Sequence, residues 1–302
     1  VRILLLFVDG IGLGDDGAAS NPFASADMPT LTALTNGQRW LKGIGRQESA
    51  RAIFIPTDPR LGVPGRPQSG SNHAVIMTGR NVPQIIGRHY GPKPDEQTRA
   101  ILAADNVFKR LNDNGKRAAM LVGYPAGLLH SIARGKTLPS GMQQAAINGG
   151  QSLFTIEDIQ HKRALTAEYT GHMLREHTGD TRIPTMNAHA AGRLLVELAR
   201  GYDFALHSHW ITDYVGHRGP LAKGVELLEL LDAVMAGVLE AWDDDEGLVI
   251  LTSDHGNMEL IGDRRHTEND VPTLIIGNDK AAFADGFTSL LDFAPRILQR
   301  LL

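Results

Sequence analysis

Cysteine is absent from all 302 residues. The chain therefore forms no disulfide and offers no thiolate ligand, so any metal site must use carboxylates, imidazoles and hydroxyls. That absence leaves the compartment open. No stretch of about 18 apolar residues occurs, so no transmembrane helix is expected. Charge of one sign is not in excess either. Thirty Lys and Arg face 34 Asp and Glu, a net of −4 with a pI near 6.3. That balance, without long runs of like charge, argues against nucleic acid as the main partner. Internal repeats and low-complexity segments are also missing. The opening apolar run Ile3–Val8 after Arg2 is too short for a signal sequence, is ended by Asp9, and lacks a small-residue cleavage site. It reads as a first core strand, and the expectation is a cytoplasmic protein with neither membrane nor nucleic-acid partners. The sequence carries no signal of oligomeric state.

What is present is an ordinary globular composition, 42% apolar, with 33 glycines to serve strand-to-helix turns. A continuous apolar run marks a strand buried on both faces at Ile3–Val8, and further strands are read at residues 50–56, Ala118–Val122, Asp203–His209, Leu248–Thr252 and Thr273–Ile276. Helical patterning covers Pro29–Leu34, Ser69–Thr78, residues 96–113, Thr185–Arg200, Pro220–Trp242 and Thr288–Leu301. Strand and helix alternate. The fold class expected is α/β, a doubly wound, mostly parallel sheet with helices on both faces. Residues 124–184 break the alternation with Pro139-Ser140-Gly141 and Asn148-Gly149-Gly150. They read as a small insert or cap, leaving 1–123 and 185–302 as the main domain.

Candidate site residues cluster beside the expected strand ends, where α/β sheets bind ligands. Asp254-His255-Gly256-Asn257 follows Leu248–Thr252, and an adjacent carboxylate and imidazole on a loop can share one cation. Asp213-Tyr-Val-Gly-His217 follows another strand, and its i, i+4 spacing puts both side chains on one side of a helical turn. His266 precedes the strand beginning Val271-Pro272, and Asp9 ends the first strand. Ser69 opens a helix within Pro67-Gln-Ser69-Gly-Ser-Asn72-His73. A serine there is ordinarily an N-cap. Beside a metal it becomes a candidate nucleophile, with helix-end N–H groups facing a phosphate. Each segment is weak alone, and their joint occurrence is the signal.

These motifs resemble the alkaline phosphatase superfamily of binuclear metalloenzymes. Asp254-His255-Gly256-Asn257-Met258-Glu259 with His266-Thr267 and Val271-Pro272 is similar to the C-terminal half of cofactor-independent phosphoglycerate mutases. Asp213-x-x-Gly-His217 is shared by those mutases and the nucleotide pyrophosphatase/phosphodiesterases. Ser69-x-x-Asn72-His73 followed by Thr78-Gly79 is closer to the phosphodiesterases, although serine is the mutases' choice of nucleophile. The closing Ser289–Pro295 segment is also of this kind. The resemblance covers roughly residues 1–91 and 203–302. It implies two divalent metal ions, zinc or manganese. Asp213, His217 and His266 would hold one. Asp9, Asp254, His255 and the Ser69 hydroxyl would hold the other. Ser69 would form a phosphoserine intermediate and Asn72 would donate to a phosphate oxygen.

The implied activity is that of a phosphatase on small phosphomonoesters, because the insert is too small for the second domain of full-length mutases and leaves water as a ready acceptor. Phosphodiesterase and mutase chemistry are the alternatives within the superfamily. Outside it, a catalytically silent metal-binding protein uses the same ligands. Gly12-x-Gly14-x-x-Gly17 matches a dinucleotide fingerprint, but Ala-Ala-Ser-Asn-Pro-Phe follows where a helix should begin. Ser71 is a rival nucleophile, disfavoured by its spacing to Asn72 and His73. His73 itself reads as core or supporting packing. His207 and His209 share one strand face and read as packing. Arg88-His89, Arg264-Arg265 and Asp243-Asp244-Asp245 read as solvated surface charge.

Overall fold

The computed structural model describes residues 1–302. Nine strands form in chain order: β1 Arg2–Val8, β2 Gln47–Glu48, β3 Ala52–Thr57, β4 Ala118–Met120, β5 Gly123–Tyr124, β6 Phe154–Thr155, β7 Phe204–His209, β8 Gly247–Thr252 and β9 Val271–Ile276. Seven build the main sheet in the order β2-β3-β9-β8-β1-β7-β4, and β5 with β6 makes a separate parallel pair. β1 pairs parallel with both β7 and β8, and β4 parallel with β7. β9 lies antiparallel between β8 and β3, because no crossover helix separates it from β8. The fold is therefore α/β with a mostly parallel sheet.

Alternation along β1 shows why the sheet is buried on both sides. Ile3, Leu5 and Phe7 belong to one apolar cluster of 37 residues, and Leu4, Leu6 and Val8 to another of 32. Ser69–Thr78 and Phe293–Leu301 cover the first face. Ala188–Ala199 and Leu221–Ala241 pack against each other over the second. β9 starts two residues earlier than its pattern indicates. Pro272 faces Pro56 of β3 beyond the end of the β8 pairing, where the missing N–H leaves no partner on β8 unpaired.

One expectation is corrected. The single helix over 96–113 is two, Glu96–Ala104 and Val107–Asp113. Asp105 is extended, and Asn106 caps the second helix by accepting from the Lys109 N–H at 3.0 Å while donating to the Leu102 carbonyl at 2.8 Å. Residues 124–184, read as an insert or cap, contribute to both core layers. Met142, Ala145 and Ala146 of the helix Gly141–Asn148 join the first core layer, and Leu165 and Tyr169 join the second. Only the helices Ala126–Ala133 and His172–Thr178 bury none of their residues. No helix of the structure is long and apolar enough to cross a membrane.

Candidate metal centre

One edge of the sheet gathers the candidate residues. Asp9 leaves the end of β1, and Asp254 and His255 leave the end of β8. Asp213 and His217 lie in the helix Ile211–Arg218 that follows β7. His266 precedes a strand rather than following one, and the antiparallel direction of β9 brings that start to the same edge. β3 runs with the parallel strands, and the chain leaving it reaches Ser69 at the start of the helix Ser69–Thr78. The topology alone thus collects segments more than two hundred residues apart.

Two sets of ligand atoms result. In the first, His217 Nε2 and His266 Nε2 lie 3.1 Å apart, and Asp213 Oδ1 is 3.4 Å from one and 3.6 Å from the other. In the second, His255 Nε2 is 3.4 Å from Asp9 Oδ1, 3.4 Å from Asp254 Oδ2 and 2.9 Å from Ser69 Oγ. Four ligands at ~2.0–2.1 Å around a tetrahedral ion are separated by about 3.3 Å. The three separations in the first set, and the three from His255 in the second, lie near that spacing. The sets adjoin, since Asp9, Asp213 and His255 also converge and the His255 and His266 rings stack with centroids 3.6 Å apart. Asp9 Oδ1 and both carboxylate oxygens of Asp254 are buried and make no well-aligned hydrogen bond, although His73 Nε2 approaches Asp254 Oδ2 to 3.1 Å. Buried carboxylate oxygens without donors are costly unless a cation meets them. The residues therefore fit divalent metals.

The remaining ring nitrogens are held as metal-site histidines usually are, with the distal nitrogen on a carbonyl. His217 Nδ1 lies 2.9 Å from the Arg264 carbonyl and His266 Nδ1 2.7 Å from that of Pro67. Electrostatics follow from burial. Burial and the Asp254 charge push Asp9 up to about 6. Burial lowers His266 to about 4 and lowers His255 as well, so both imidazoles favour the neutral, ligating form. Burial would raise Asp213, but the neighbouring histidines His255, His217 and His266 hold it below its usual value.

His73 enters the site from a position where packing alone was expected. Its Nε2 lies 3.1 Å from Asp254 Oδ2 and 3.5 Å from Asp9 Oδ2, and neither ring nitrogen has a hydrogen bond. Burial opposes its charged form, yet Asp254 and Asp9 outweigh burial and lift it to about 9. The available signal was its place one turn after Ser69 on the same helix face.

Asn72 uses both of its N–H donors within the protein. Its Nδ2 donates to the Pro59 carbonyl at 2.9 Å and the Asp254 carbonyl at 2.8 Å, and the side chain is fully buried. Flipping the amide would set its oxygen against two carbonyls, so the assignment is fixed by the network. Asn72 holds the Asp254 loop instead of donating to phosphate. Ser71 is fully buried, bonded to the Gln68 carbonyl and the Tyr90 N–H, which leaves Ser69 as the hydroxyl that meets the ligand atoms.

Glu259 is a supporting residue that sequence reasoning missed. Its Oε2 accepts from the Gly12 N–H at 3.0 Å and the Asn257 N–H at 2.8 Å, and its Oε1 accepts from Thr267 Oγ1 and Asn269 Nδ2. Three loops carrying ligands are thereby tied together. Gly12 is explained by the same carboxylate, since a Cβ there would lie 2.3 Å from Glu259 Oε1. No helix begins at the Gly12-x-Gly14-x-x-Gly17 run; the next helical turn is Pro22–Ala24. Gly216 admits Asn257, whose Nδ2 donates to Asp213 Oδ1 at 2.7 Å.

The remaining candidates lie outside the centre. Arg265 forms a two-pronged pair with Asp263, and Arg88 lies over the Tyr90 ring at 5.0 Å. Asp244 pairs with Arg51. His207 and His209 stack on Tyr169, a packing role.

Comparison with known proteins identifies the family and the fold. A family model described as "Metalloenzyme superfamily" matches residues 1–302. Curated relatives are named 2,3-bisphosphoglycerate-independent phosphoglycerate mutase. That of Vibrio atlanticus is 32% identical over 257 residues, which are 76% of this chain and 49% of the relative. That of Methylobacillus flagellatus is 35% identical over 108 residues, 33% of this chain and 21% of the relative. The chain thus spans about half the length, or less, of these curated relatives. Among solved structures, the alkaline phosphatase of the Antarctic bacterium TAB5 superposes with a TM-score of 0.52 at 12% identity, covering 99% of this chain and 97% of that one. The PH0037 protein of Pyrococcus horikoshii gives 0.52 at 15% identity, covering 91% and 87%. At such identities the structural likeness establishes the fold.

Proposed function

The chain belongs to the metalloenzyme superfamily, and from that membership we propose that it is a two-metal phosphoryl-transfer enzyme hydrolysing small phosphomonoesters through Ser69. The observation that carries this reading is the Ser69 hydroxyl, 2.9 Å from His255 Nε2 at the edge of a buried cluster of carboxylates and imidazoles. Asp213, His217 and His266 would hold one ion, and Asp9, Asp254, His255 and Ser69 the other, with His73 at hand to the second. Bound divalent ions lower the pKa of a coordinated hydroxyl and offset the negative charge of a phosphate. Zinc and manganese both suit this Asp and His set.

The protein's own groups then divide the work. Ser69 Oγ, having lost its proton, forms a bond to phosphorus while the ester bond to the departing alcohol breaks, and that alcohol takes up a proton. Water next attacks the phosphorus of phosphoserine, the Oγ–P bond breaks, and inorganic phosphate leaves. The Ser69 and Gly70 N–H groups, which have no intrahelical partner, would be free to donate to an incoming phosphate, whereas the Ser71 N–H is taken by the Tyr90 carbonyl at 2.7 Å. Asn72 and Glu259 keep the ligand loops in register.

A mutase outcome is the second reading, favoured by the names of the curated relatives. It differs only in whether water or a second substrate hydroxyl receives the phosphoryl group. The test is turnover of para-nitrophenyl phosphate and its bis ester by metal-stripped protein after separate addition of Zn²⁺, Mn²⁺ and Mg²⁺, with Ser69→Ala in parallel. Metal-restored, Ser69-dependent release from the monoester is the expected result. Preference for the bis ester, or full activity in Ser69→Ala, would contradict the proposal. Transfer to a hydroxyl acceptor without release of inorganic phosphate would establish the mutase instead.

A further inference from the structure

Two aromatic rings stand in solvent beside the first ligand set. Trp210 and Tyr214 are each 49% exposed, whereas Trp40 and Trp242 are buried. Tyr214 lies in the helix that carries Asp213 and His217, and its N–H bonds the Trp210 carbonyl at 3.4 Å, so the first helical turn starts at Trp210. Trp210 is three residues before Asp213 and four before Tyr214, and Tyr214 is three before His217. At these spacings helical side chains are neighbours. The two rings therefore form a ridge alongside the two ligands. Docking of the helix on the fold does not use them. That is done by Ile211 and Val215 on a different face, packed with Leu227, Met173 and Ile261. Tyr214 is steadied by Arg218, whose guanidinium lies 5.1 Å from its ring centroid.

The direction of attack decides which part of a substrate meets this ridge. Two-ion sites clamp the attacking and departing oxygens of an in-line displacement from opposite sides. Ser69 Oγ stands with the second ligand set, 2.9 Å from His255 Nε2, so the departing oxygen falls on the side of Asp213, His217 and His266. His217 is the most exposed of those three side chains, which makes its flank the way out for the alcohol, and Tyr214 is one helical turn from it. On the His266 flank, a cleft of about 320 Å³ is lined by Asp15, Glu259, Asp263 and Glu268 against a single cation, Arg66, so negative charge on the alcohol gains nothing there. We propose that Trp210 and Tyr214 are the binding surface for the departing alcohol, and that the preferred esters carry an uncharged aromatic ring close to the phosphate. Burial of apolar area and ring stacking supply the selectivity. This rests on the phosphomonoesterase reading above and narrows its substrate class.

The experiment compares kcat/KM of the metal-loaded wild type, Trp210→Ala, Tyr214→Ala and Tyr214→Phe on benzyl, cyclohexylmethyl and methyl phosphate, whose alcohols are of similar acidity. Calorimetry on the same proteins reads the affinity for benzylphosphonate and methylphosphonate, which are not hydrolysed. Burial of one ring corresponds to a preference of about tenfold to a hundredfold. The wild type is expected to favour benzyl over methyl phosphate by that factor, with cyclohexylmethyl phosphate between them. Each alanine variant should lower the benzyl-to-methyl ratio about twofold to tenfold, in kcat/KM and in phosphonate affinity alike, and Tyr214→Phe should keep it. Equal loss on benzyl and methyl esters, a loss of selectivity that tracks a loss of Zn²⁺ affinity, or no preference in the wild type while para-nitrophenyl phosphate is turned over would overturn the inference and leave the phosphatase reading standing. Absence of turnover on every ester, para-nitrophenyl phosphate included, would overturn both.

Discussion

Removing the Glu259 carboxylate should loosen the metal centre from behind. Glu259 is 2% exposed and accepts hydrogen bonds from two backbone N–H groups and two side chains. In Glu259→Ala the Gly12 and Asn257 N–H groups lose their acceptor in a buried setting. Each unsatisfied donor costs ~1–3 kcal/mol, so the backbone pair alone amounts to about 2–6 kcal/mol. The Thr267 hydroxyl and Asn269 amide can turn to other partners and add less. In Glu259→Gln one acceptor oxygen remains, but an NH₂ replaces the other and confronts either N–H donors or the Thr267 hydroxyl, which can reverse its role. That variant should lose about half as much. Asn257 also holds Asp213 Oδ1, so freeing its backbone shifts a ligand and weakens metal binding by an order of magnitude or more. Urea unfolding of the metal-free protein reads the first effect, and calorimetric titration with Zn²⁺ reads the second. A loss below about 1 kcal/mol in Glu259→Ala, with metal affinity intact, would refute the reasoning.

Three further outcomes follow from the same structure. Gly216→Ala places a Cβ 2.6 Å from Asn257 Cγ, and overpacking of that kind costs ~1–3 kcal/mol, so its urea midpoint should fall and its metal affinity with it. Burial lowers His207 to about 3 and His209 to about 4, so the unfolded chain binds more protons than the native one below the ordinary histidine value. Stability is therefore full above pH ~6.5 and falls toward pH ~4 by roughly 1.4 kcal/mol per unit per histidine; His207→Phe should show a shallower pH slope in urea melts, and an identical slope would contradict the assignment. Asp9 sits near 6 without metal, so metal binding must displace its proton. Zn²⁺ affinity measured from pH 7.5 down to 5 should weaken below about 6 with proton release, and a flat profile would argue against Asp9 as a ligand.

Much of this molecule was legible in its sequence because its signals were local or repeated. β1 and β8 are largely apolar runs, and a carboxylate follows each, Asp9 directly after Val8 and Asp254 two residues after Thr252. Asp213 and His217 announced themselves by helical spacing. What escaped was non-local. The break at Asp105-Asn106 is set by a cap, and apolar periodicity carries across it. The helix Gly141–Asn148 lacked a strong stripe, yet it packs so closely that a Cβ on Gly141 would touch that of His73. Asn72 carried the right residue type for a phosphate donor, and only the positions of the Pro59 and Asp254 carbonyls reveal its other role. Glu259 closes the run Asp254–Glu259 that carried the resemblance. Its role emerges only from its burial and its four hydrogen bonds.

The most direct test of the central claim is to seek the phosphoryl group on Ser69 itself. Metal-loaded protein mixed with a phosphomonoester and quenched in acid within a turnover should yield a tryptic peptide phosphorylated at Ser69, absent without metal and absent in Ser69→Ala. Steady turnover with no phosphate on Ser69 at any quench time, or phosphate found on Ser71 instead, would contradict the account.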